Sequence, residues 1–137
     1  TFRSWWSRGW CRMEFMSALL ATHNIRVMVV AGSEATPYFT CTVDAHFLKP
    51  GEGNFSCCTN NHDFGEGPNT VACDKASVEP IIGVMLDNKI QQLEAQKAYF
   101  EMRFFASLRA HFLSGFPSDF LLQERESALR EGTSPKC

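Results

Sequence analysis

Near its start the chain reads Ser4-Trp5-Trp6-Ser7-Arg8-Gly9-Trp10-Cys11-Arg12-Met13-Glu14, and an apolar run follows at once. This stretch holds all three tryptophans of the chain and one glutamate. Tryptophan combines a large apolar body with an N–H group that needs a partner, so the cluster indicates packing or recognition. A carboxylate next to an otherwise apolar helix also needs a partner or a role. The predictions of fold and function both start from these residues.

The segments that follow alternate between helical and strand-like patterns. Apolar residues at helical spacing predict a helix over residues 10–23, and their spread around the circumference indicates burial on more than one side. The β-branched run Ile25–Ala31 predicts a strand that is buried on both faces. A helix that leads into such a strand is half of an α/β repeat.

The middle of the chain carries weaker signals. Tyr38–Val43 and Phe55–Cys58 are predicted as short strands, separated by a turn at residues 49–54 that is rich in Pro and Gly. Residues 59–72 are rich in Asn, Gly and Pro, which predicts a surface loop.

The last part of the sequence is helical in pattern. A helix is predicted to begin at Asp74 or Ser77, with Pro80 in its first turn. The buried face changes near residues 94–97, which favours two helices that meet there. A last helix is predicted over Asp119–Arg130. The phenylalanines of this region are predicted to lie mainly in the core: Phe100, Phe104, Phe105, Phe112 and Phe116.

Length and composition limit the classes of function. The 137 residues correspond to one domain, and 45% hydrophobic residues can form a core. A net charge of −2 gives no electrostatic basis for binding nucleic acid. No stretch has the length and apolarity of a membrane span, and the start does not resemble a signal peptide. Because the chain begins at Thr1 and not at Met, we expect it to be a fragment cut on its N-terminal side.

The six cysteines are irregularly spaced, and a core of this size does not need disulfides for stability. We therefore predict free thiols and a cytoplasmic, reducing location.

A family resemblance enters at Ser7-Arg8-Gly9-Trp10-Cys11-Arg12-Met13-Glu14. Followed by an apolar helix and a short hydrophobic strand, this pattern resembles the third conserved box of TIR (Toll/interleukin-1 receptor) domains. It is similar to the Ser-x-Trp-Cys-x-x-Glu form of plant-type TIR proteins of stress and immunity. It also resembles the box of TIR-like proteins of protists, dinoflagellates among them. The resemblance covers residues 4–31.

The resemblance implies a flavodoxin-like α/β fold. We predict a partial, three-layer unit of this kind with a helical C-terminal part. Residues 1–95 would be the C-terminal part of a TIR-like domain, residues 96–130 a helical extension packed on it, and residues 131–137 a disordered tail. The first strands of a TIR domain would precede the box, and residues from 38 onward have no TIR counterpart.

Glu14 is the candidate catalytic residue. In TIR domains that hydrolyse NAD, the glutamate of this box is catalytic, and the resemblance carries that role to Glu14. Trp10 and Cys11 would then be the helix residues that pack the site. The residues alone also support a second interpretation, in which Glu14 pairs with Arg3 or Arg8 and anchors the preceding loop.

The aromatic and basic start is also a candidate binding surface. Tryptophan and arginine are the residues enriched at protein–protein hot spots, and they also stack on nucleotide bases. The candidate ligand-binding residues are Trp5, Arg8, Trp10 and Cys11.

A second group of residues could carry chemistry through thiols and imidazoles: Cys41, His46, Cys57, Cys58, His62 and Cys73. Cys58 and His62 have a separation that zinc sites use, but no second pair accompanies them. On the predicted strand, Cys57 and Cys58 would point to opposite faces. We therefore predict structural roles and no metal, with a Cys nucleophile and a His base as the alternative.

Three functions follow from these observations. The first is a TIR-like signalling or stress-response domain that mediates protein–protein association, including self-association, through the Trp/Arg start. The second is an NAD hydrolase in which Glu14 stabilises the oxocarbenium-like ribose as nicotinamide leaves, with NAD as substrate and no cofactor. The third is an accessory subunit of a larger assembly.

Overall fold

Helices dominate the computed structural model, which describes residues 2–23, 25–41, 46–60, 62 and 71–116. The predicted helix over Asp119–Arg130, the tail at 131–137 and most of the loop at 59–72 lie outside these residues. The elements follow in chain order: α1 (Phe2–Trp6), α2 (Gly9–Leu20), β1 (Val27–Val29), β2 (Tyr38–Thr40), a 3-10 turn (Pro50–Glu52), α3 (Ser56–Thr59), α4 (Asp74–Ala95), α5 (Tyr99–Ser107) and α6 (Arg109–Phe112).

The predicted first helix is confirmed as α2. Its end is held by α4, because Lys89 Nζ donates to the carbonyl oxygen of Ala21 and Gln92 Nε2 donates to that of Thr22, each at 2.9 Å. The last carbonyls of a helix lack partners within the helix. Side chains of α4 therefore satisfy the C-terminal end of α2 and fix how the two helices pack.

The start of α2 crosses the segment before α3 at very close range. The amide of Gly9 donates to Asn54 O, and the amide of Asn54 donates to Ser7 O, both at 2.9 Å, which forms a short parallel bridge. A Cβ at Gly9 would overlap the ring of Phe55, and a Cβ at Gly53 would overlap the backbone of Gly9. Only glycine permits this backbone-to-backbone approach.

On its other side, the same segment contacts the last residues that the structure describes. A Cβ at Gly51 would lie 2.5 Å from the carbonyl carbon of Gly115. Gly115 itself has φ +80°, a left-handed conformation that favours glycine. The crossing segment, residues 50–55, therefore lies between the start of α2 and the turn after α6.

The two strands form an antiparallel pair, in which Val27 faces Thr40, Met28 faces Phe39 and Val29 faces Tyr38. The prediction that Ile25–Ala31 is buried on both faces is wrong. Val29 is buried, but Met28 is 55% exposed, because nothing among the described residues covers the outer face of this pair.

Residues 55–58 are not a strand, contrary to prediction. Ser56–Thr59 forms the short helix α3, and Thr59 Oγ1 donates back to Phe55 O at 3.0 Å. Hydroxyl side chains readily bond nearby carbonyls in this way. The change matters for chemistry, since Cys57 and Cys58 now lie on one helical turn.

The predicted junction of two helices near residues 94–97 is confirmed. α4 begins directly after Cys73, so Pro80 lies in its second turn and not its first. At its end, Lys97 adopts φ 58°, the amide of Lys97 donates to Glu94 O, and the amide of Ala98 donates to Leu93 O. This is the Schellman arrangement, here with lysine in the left-handed position. It turns the chain so that α5 folds back onto α4.

The core lies between α2, α4 and α5. Its fully buried members include Met16 of α2 and Ile82 and Leu86 of α4. The predicted phenylalanine core is confirmed for Phe105 and Phe112, which are buried. The prediction is wrong for Phe100 and Phe104, which are 82% and 41% exposed.

The observed architecture is thus mixed, with packed helices and one small antiparallel pair of strands. This is compatible with the coarse α/β class. None of the helices that the structure describes is long and apolar enough to cross a membrane.

The glycine crossing generates a stability prediction. We expect Gly9→Ala to lower the free energy of unfolding by about 1–3 kcal/mol, because the added methyl overlaps the Phe55 ring inside packed surroundings. Urea denaturation followed by circular dichroism measures the change.

Gly83→Ala is the matched control, because a Cβ at this position of α4 meets nothing within 4 Å. Removing glycine from a helix interior should stabilise the protein by about 0.5–1 kcal/mol. If both variants shift the unfolding midpoint in the same direction, the close crossing at Gly9 is not a constraint on the fold.

Candidate functional site

Glu14 and Trp5 meet at an open groove of about 450 Å³ between α2, the start of β1 and α4. The lining is otherwise mostly apolar and includes Ala18, Ile25, Val27 and Met85. Glu14 is exposed and is the only charged residue among the described residues of the lining. The groove thus offers an apolar surface with one carboxylate at its edge.

Beside the groove, the outer face of the strand pair presents an apolar ridge. Met28 and Phe39 face each other across the pair and are 55% and 61% exposed. The guanidinium of Arg26 lies over the Phe39 ring, 5.8 Å from its centroid. Val30 follows on the same strand and is also exposed. This ridge was not predicted from the sequence, because a strand buried on both faces would have no exposed apolar face.

The remaining residues of the Trp/Arg start are mostly used in packing. Trp6 lies against Phe15, with ring centroids 5.3 Å apart. Arg12 donates from Nε to Trp6 O at 2.9 Å and from Nη1 to Lys49 O at 3.2 Å. Arg8 is exposed and precedes the first residue of α2. The structure therefore brings Glu14 and Trp5 to one groove but does not place Arg8 in it.

Trp10 points to a different part of the molecule. Its indole Nε1 donates to Asp74 Oδ2 at 3.1 Å, and its ring packs edge-on against Phe55. Asp74 is the first residue of α4, where a carboxylate also interacts favourably with the helix dipole. Trp10 thus ties the start of α2 to the start of α4.

Cys11 is half-buried on α2. Burial raises the pKa of the Cys11 thiol, the nearby carboxylate of Glu14 raises it further, and the guanidinium of Arg8 acts in the opposite direction. The thiol is therefore held in its neutral form, which is poorly suited to nucleophilic attack.

The second group of candidates forms a compact cluster at the start of α4. One potential ligand atom each from Cys57, His62 and Cys73 lies within 4.8 Å of the others, and all three residues are buried. The Sγ atom of Cys58 lies 3.8 Å from that of Cys57 and 3.7 Å from that of Cys73. We call Cys57, Cys58, His62 and Cys73 the thiol–imidazole cluster.

Burial and a backbone hydrogen bond act in opposite directions on the pKa of the Cys57 thiol. Burial raises the pKa of the Cys57 thiol, whereas the backbone N–H of Asp74, 3.3 Å from its Sγ, favours the thiolate. Such an N–H is the kind of partner that a sulfur with negative charge needs.

His62 is fixed from several sides. Its φ is 62°, a rare value for a residue that is not glycine, and its side chain is fully buried. The His62 amide donates to Cys57 O at 2.7 Å, and its carbonyl accepts from the Val71 amide at 3.0 Å. Its Nδ1 lies 3.0 Å from Val71 O. Since a carbonyl oxygen only accepts, Nδ1 donates this hydrogen bond.

The other members of the predicted Cys/His group lie elsewhere. Cys41 is exposed after β2. His46 packs among Phe104, Phe105 and Phe112, with ring centroids 5.1–6.4 Å away. The separation of Cys58 and His62 was the informative signal in the sequence. The predicted strand hid the rest of the cluster, because it sent the two adjacent cysteines in opposite directions.

Comparison with known proteins gives no match: no family model, no curated protein and no solved structure is similar to this chain.

The surroundings of Cys11 generate a prediction about its reactivity. We expect Glu14→Gln to lower the pKa of the Cys11 thiol, because the substitution removes a negative charge that disfavours the thiolate. The rate of alkylation of Cys11 as a function of pH, followed by peptide mass spectrometry, measures this pKa.

Arg8→Gln should shift the same rate profile to higher pH, since it removes the charge that favours the thiolate. Shifts of the two variants in the same direction would contradict the electrostatic account of this helix.

Proposed function

We propose that this chain is a TIR-like interaction domain that self-associates by inserting the ridge of one copy into the groove of another. The observation that carries the proposal is the pairing of two complementary apolar surfaces on one molecule. The ridge of Met28 and Phe39 lies beside the groove lined by Trp5 and Met85. Neighbouring exposed apolar side chains are typical of interaction sites.

Charge also supports a second copy as the occupant. The groove carries the carboxylate of Glu14, and the ridge carries the guanidinium of Arg26. A ridge that enters a groove would bring a cation towards an anion, which favours the correct register between copies. The outer face of the strand pair adds a further reason, because Met28 and Phe39 have no cover among the described residues.

The TIR-like assignment rests on the order of elements. The Trp-Cys-x-x-Glu pattern lies on α2, Glu14 points to a groove, and a hydrophobic strand follows. A flavodoxin-like sheet would place β1 beside parallel strands, whereas β1 pairs here with β2 in the antiparallel direction. No disulfide joins the described cysteines to one another, which is in keeping with a cytoplasmic location.

Sedimentation velocity over a range of protein concentrations tests self-association. We expect the wild-type chain to form larger species as concentration rises. Phe39→Lys on the ridge and Ala18→Phe in the groove should each keep it monomeric, the first by adding charge and the second by filling the groove.

Phe100→Lys is the matched control, because Phe100 is the most exposed large apolar side chain among the described residues and lies on α5, outside the ridge and the groove. It should associate as the wild type does. A wild-type chain that stays monomeric, or a Phe100→Lys variant that loses association as fully as Phe39→Lys, would refute the proposed interface.

The second candidate function is hydrolysis of NAD. It is favoured by the meeting of Glu14 and Trp5 at a groove whose volume suits a small molecule. A single carboxylate beside the anomeric carbon is the group that this glycosidic cleavage needs. It ranks second because, among the described residues, no basic side chain lines the groove to meet the diphosphate.

Nicotinamide release from NAD tests this function. We expect Glu14→Gln to lower the rate at least about 100-fold relative to the wild-type chain, since the carboxylate would no longer stabilise the developing charge. Glu34→Gln, at an exposed turn between the strands, is the control and should release nicotinamide at the wild-type rate. If the wild-type chain releases no nicotinamide at concentrations where it self-associates, the hydrolase function is wrong and Glu14 has a structural role only.

A further inference from the structure

The thiol–imidazole cluster contains four soft or borderline ligands, three of which converge on one point of the fold. Three of them, Cys57, His62 and Cys73, offer donor atoms within 4.8 Å of one another. The fourth, Cys58, places its sulfur near both other sulfurs. Three cysteines and one histidine are a ligand set that structural zinc sites use.

The sulfur–sulfur distances agree with tetrahedral coordination. A zinc–sulfur bond of about 2.3 Å in a regular tetrahedron places two sulfurs about 3.8 Å apart. The observed distances from Cys58 Sγ are 3.8 Å to Cys57 Sγ and 3.7 Å to Cys73 Sγ. Cys58 Sγ therefore has the spacing to each of these two sulfurs that two ligands of one ion have, and it lies too far from either for a disulfide, whose bond is about 2.05 Å.

The His62 ring is held in a fixed orientation by hydrogen bonding, as the ring of a metal-binding histidine is. Nδ1 of His62 is hydrogen-bonded to Val71 O, and a hydrogen bond from one ring nitrogen to a backbone carbonyl is how proteins orient a metal-binding imidazole. The ring is fully buried, and its backbone is held in the left-handed conformation by bonds to Cys57 and Val71. Strain that surrounding bonds maintain at one residue is characteristic of functional positions.

The surroundings also compensate the negative charge that zinc-bound thiolates keep. The N–H of Asp74 points at Cys57 Sγ at 3.3 Å. Cys73 immediately precedes α4, a helix of 22 residues, so both sulfurs lie at its positive end. Thiolates bound to a divalent cation and to backbone N–H groups are the stable form of such a cluster.

We propose that Cys57, Cys58, His62 and Cys73 bind one zinc ion in a closed, structural site. With four protein ligands the ion has no open position for water or substrate, so its role is to hold the fold. It links α3, His62 and the start of α4. Binding replaces the thiol protons by the ion, and the thiols are neither oxidised nor reduced.

The test uses the full chain, purified under reducing conditions. Zinc content by elemental analysis should give one ion per chain. Replacement of zinc by cobalt(II) should give the visible absorption of a tetrahedral site and the charge-transfer absorption of cobalt–thiolate bonds. Removal of the ion by a chelator should lower the melting temperature, and added zinc should restore it.

Variants distinguish the proposed zinc ligands from a cysteine outside the cluster. Cys58 is half-buried, so the Cys58→Ser variant should still fold. We expect it to weaken zinc binding by more than about tenfold, because loss of a residue that only orients a ligand already costs about tenfold in metal affinity. His62→Cys keeps a ligand at the same place, so it should still bind cobalt but with a spectrum shifted towards four thiolates. Cys41→Ser, at an exposed cysteine outside the cluster, should bind as the wild type does.

Three results would overturn the proposal. One is a wild-type chain that binds neither zinc nor cobalt. Another is cobalt absorption that is the same in Cys58→Ser, His62→Cys and wild-type protein. The third is a disulfide between Cys58 and Cys73 in protein kept under reducing conditions, detected by mass spectrometry, which would identify the cluster as a redox pair.

Discussion

The close approach of Gly9 to Gly53 is the contact on which the rest of the structure depends. Because neither residue has a side chain, the two backbones bond to each other, and Phe55 lies over Gly9 as a buried ring. This fixes the start of α2 against the segment before α3. Glu14 follows Gly9 on α2 and Cys57 follows Gly53 on the other segment, so the crossing helps to position both the groove and the cluster.

Trp10 connects these two regions. Its ring packs on Phe55 at the crossing, and its indole N–H bonds Asp74, whose own backbone N–H faces Cys57. Trp10, which the sequence indicated as a candidate ligand-binding residue, thus holds the start of α4 in place. The Trp-Cys-x-x-Glu pattern therefore has two parts in this chain: Trp10 serves the packing around the cluster, and Glu14 reaches the groove.

Local pattern predicted the helices well, since the apolar spacing of α2 and the change of face at residues 94–97 depend only on nearby residues. It failed where a distant contact decides. Residues 55–58 have the composition of a strand, but the crossing at Gly53 and the hydroxyl of Thr59 make them a helix. That error hid the cluster, since only a helix brings both adjacent cysteines towards Cys73. The exposed ridge was missed for a related reason. A run of β-branched residues has the same sequence pattern whether the outer face of its strand is covered by other residues or exposed.

The crossing also has a consequence for the order in which the chain folds. Gly9 and Asn54 are 45 residues apart in sequence, and closing a flexible loop of that length costs about 3 kcal/mol in chain entropy. α4 and α5, by contrast, are joined by only three residues and meet through local contacts. Local contacts form fast and distant ones slowly. The helical pair is thus the early part of the fold, and the Trp-rich start docks last, on a surface that the rest of the chain has already built.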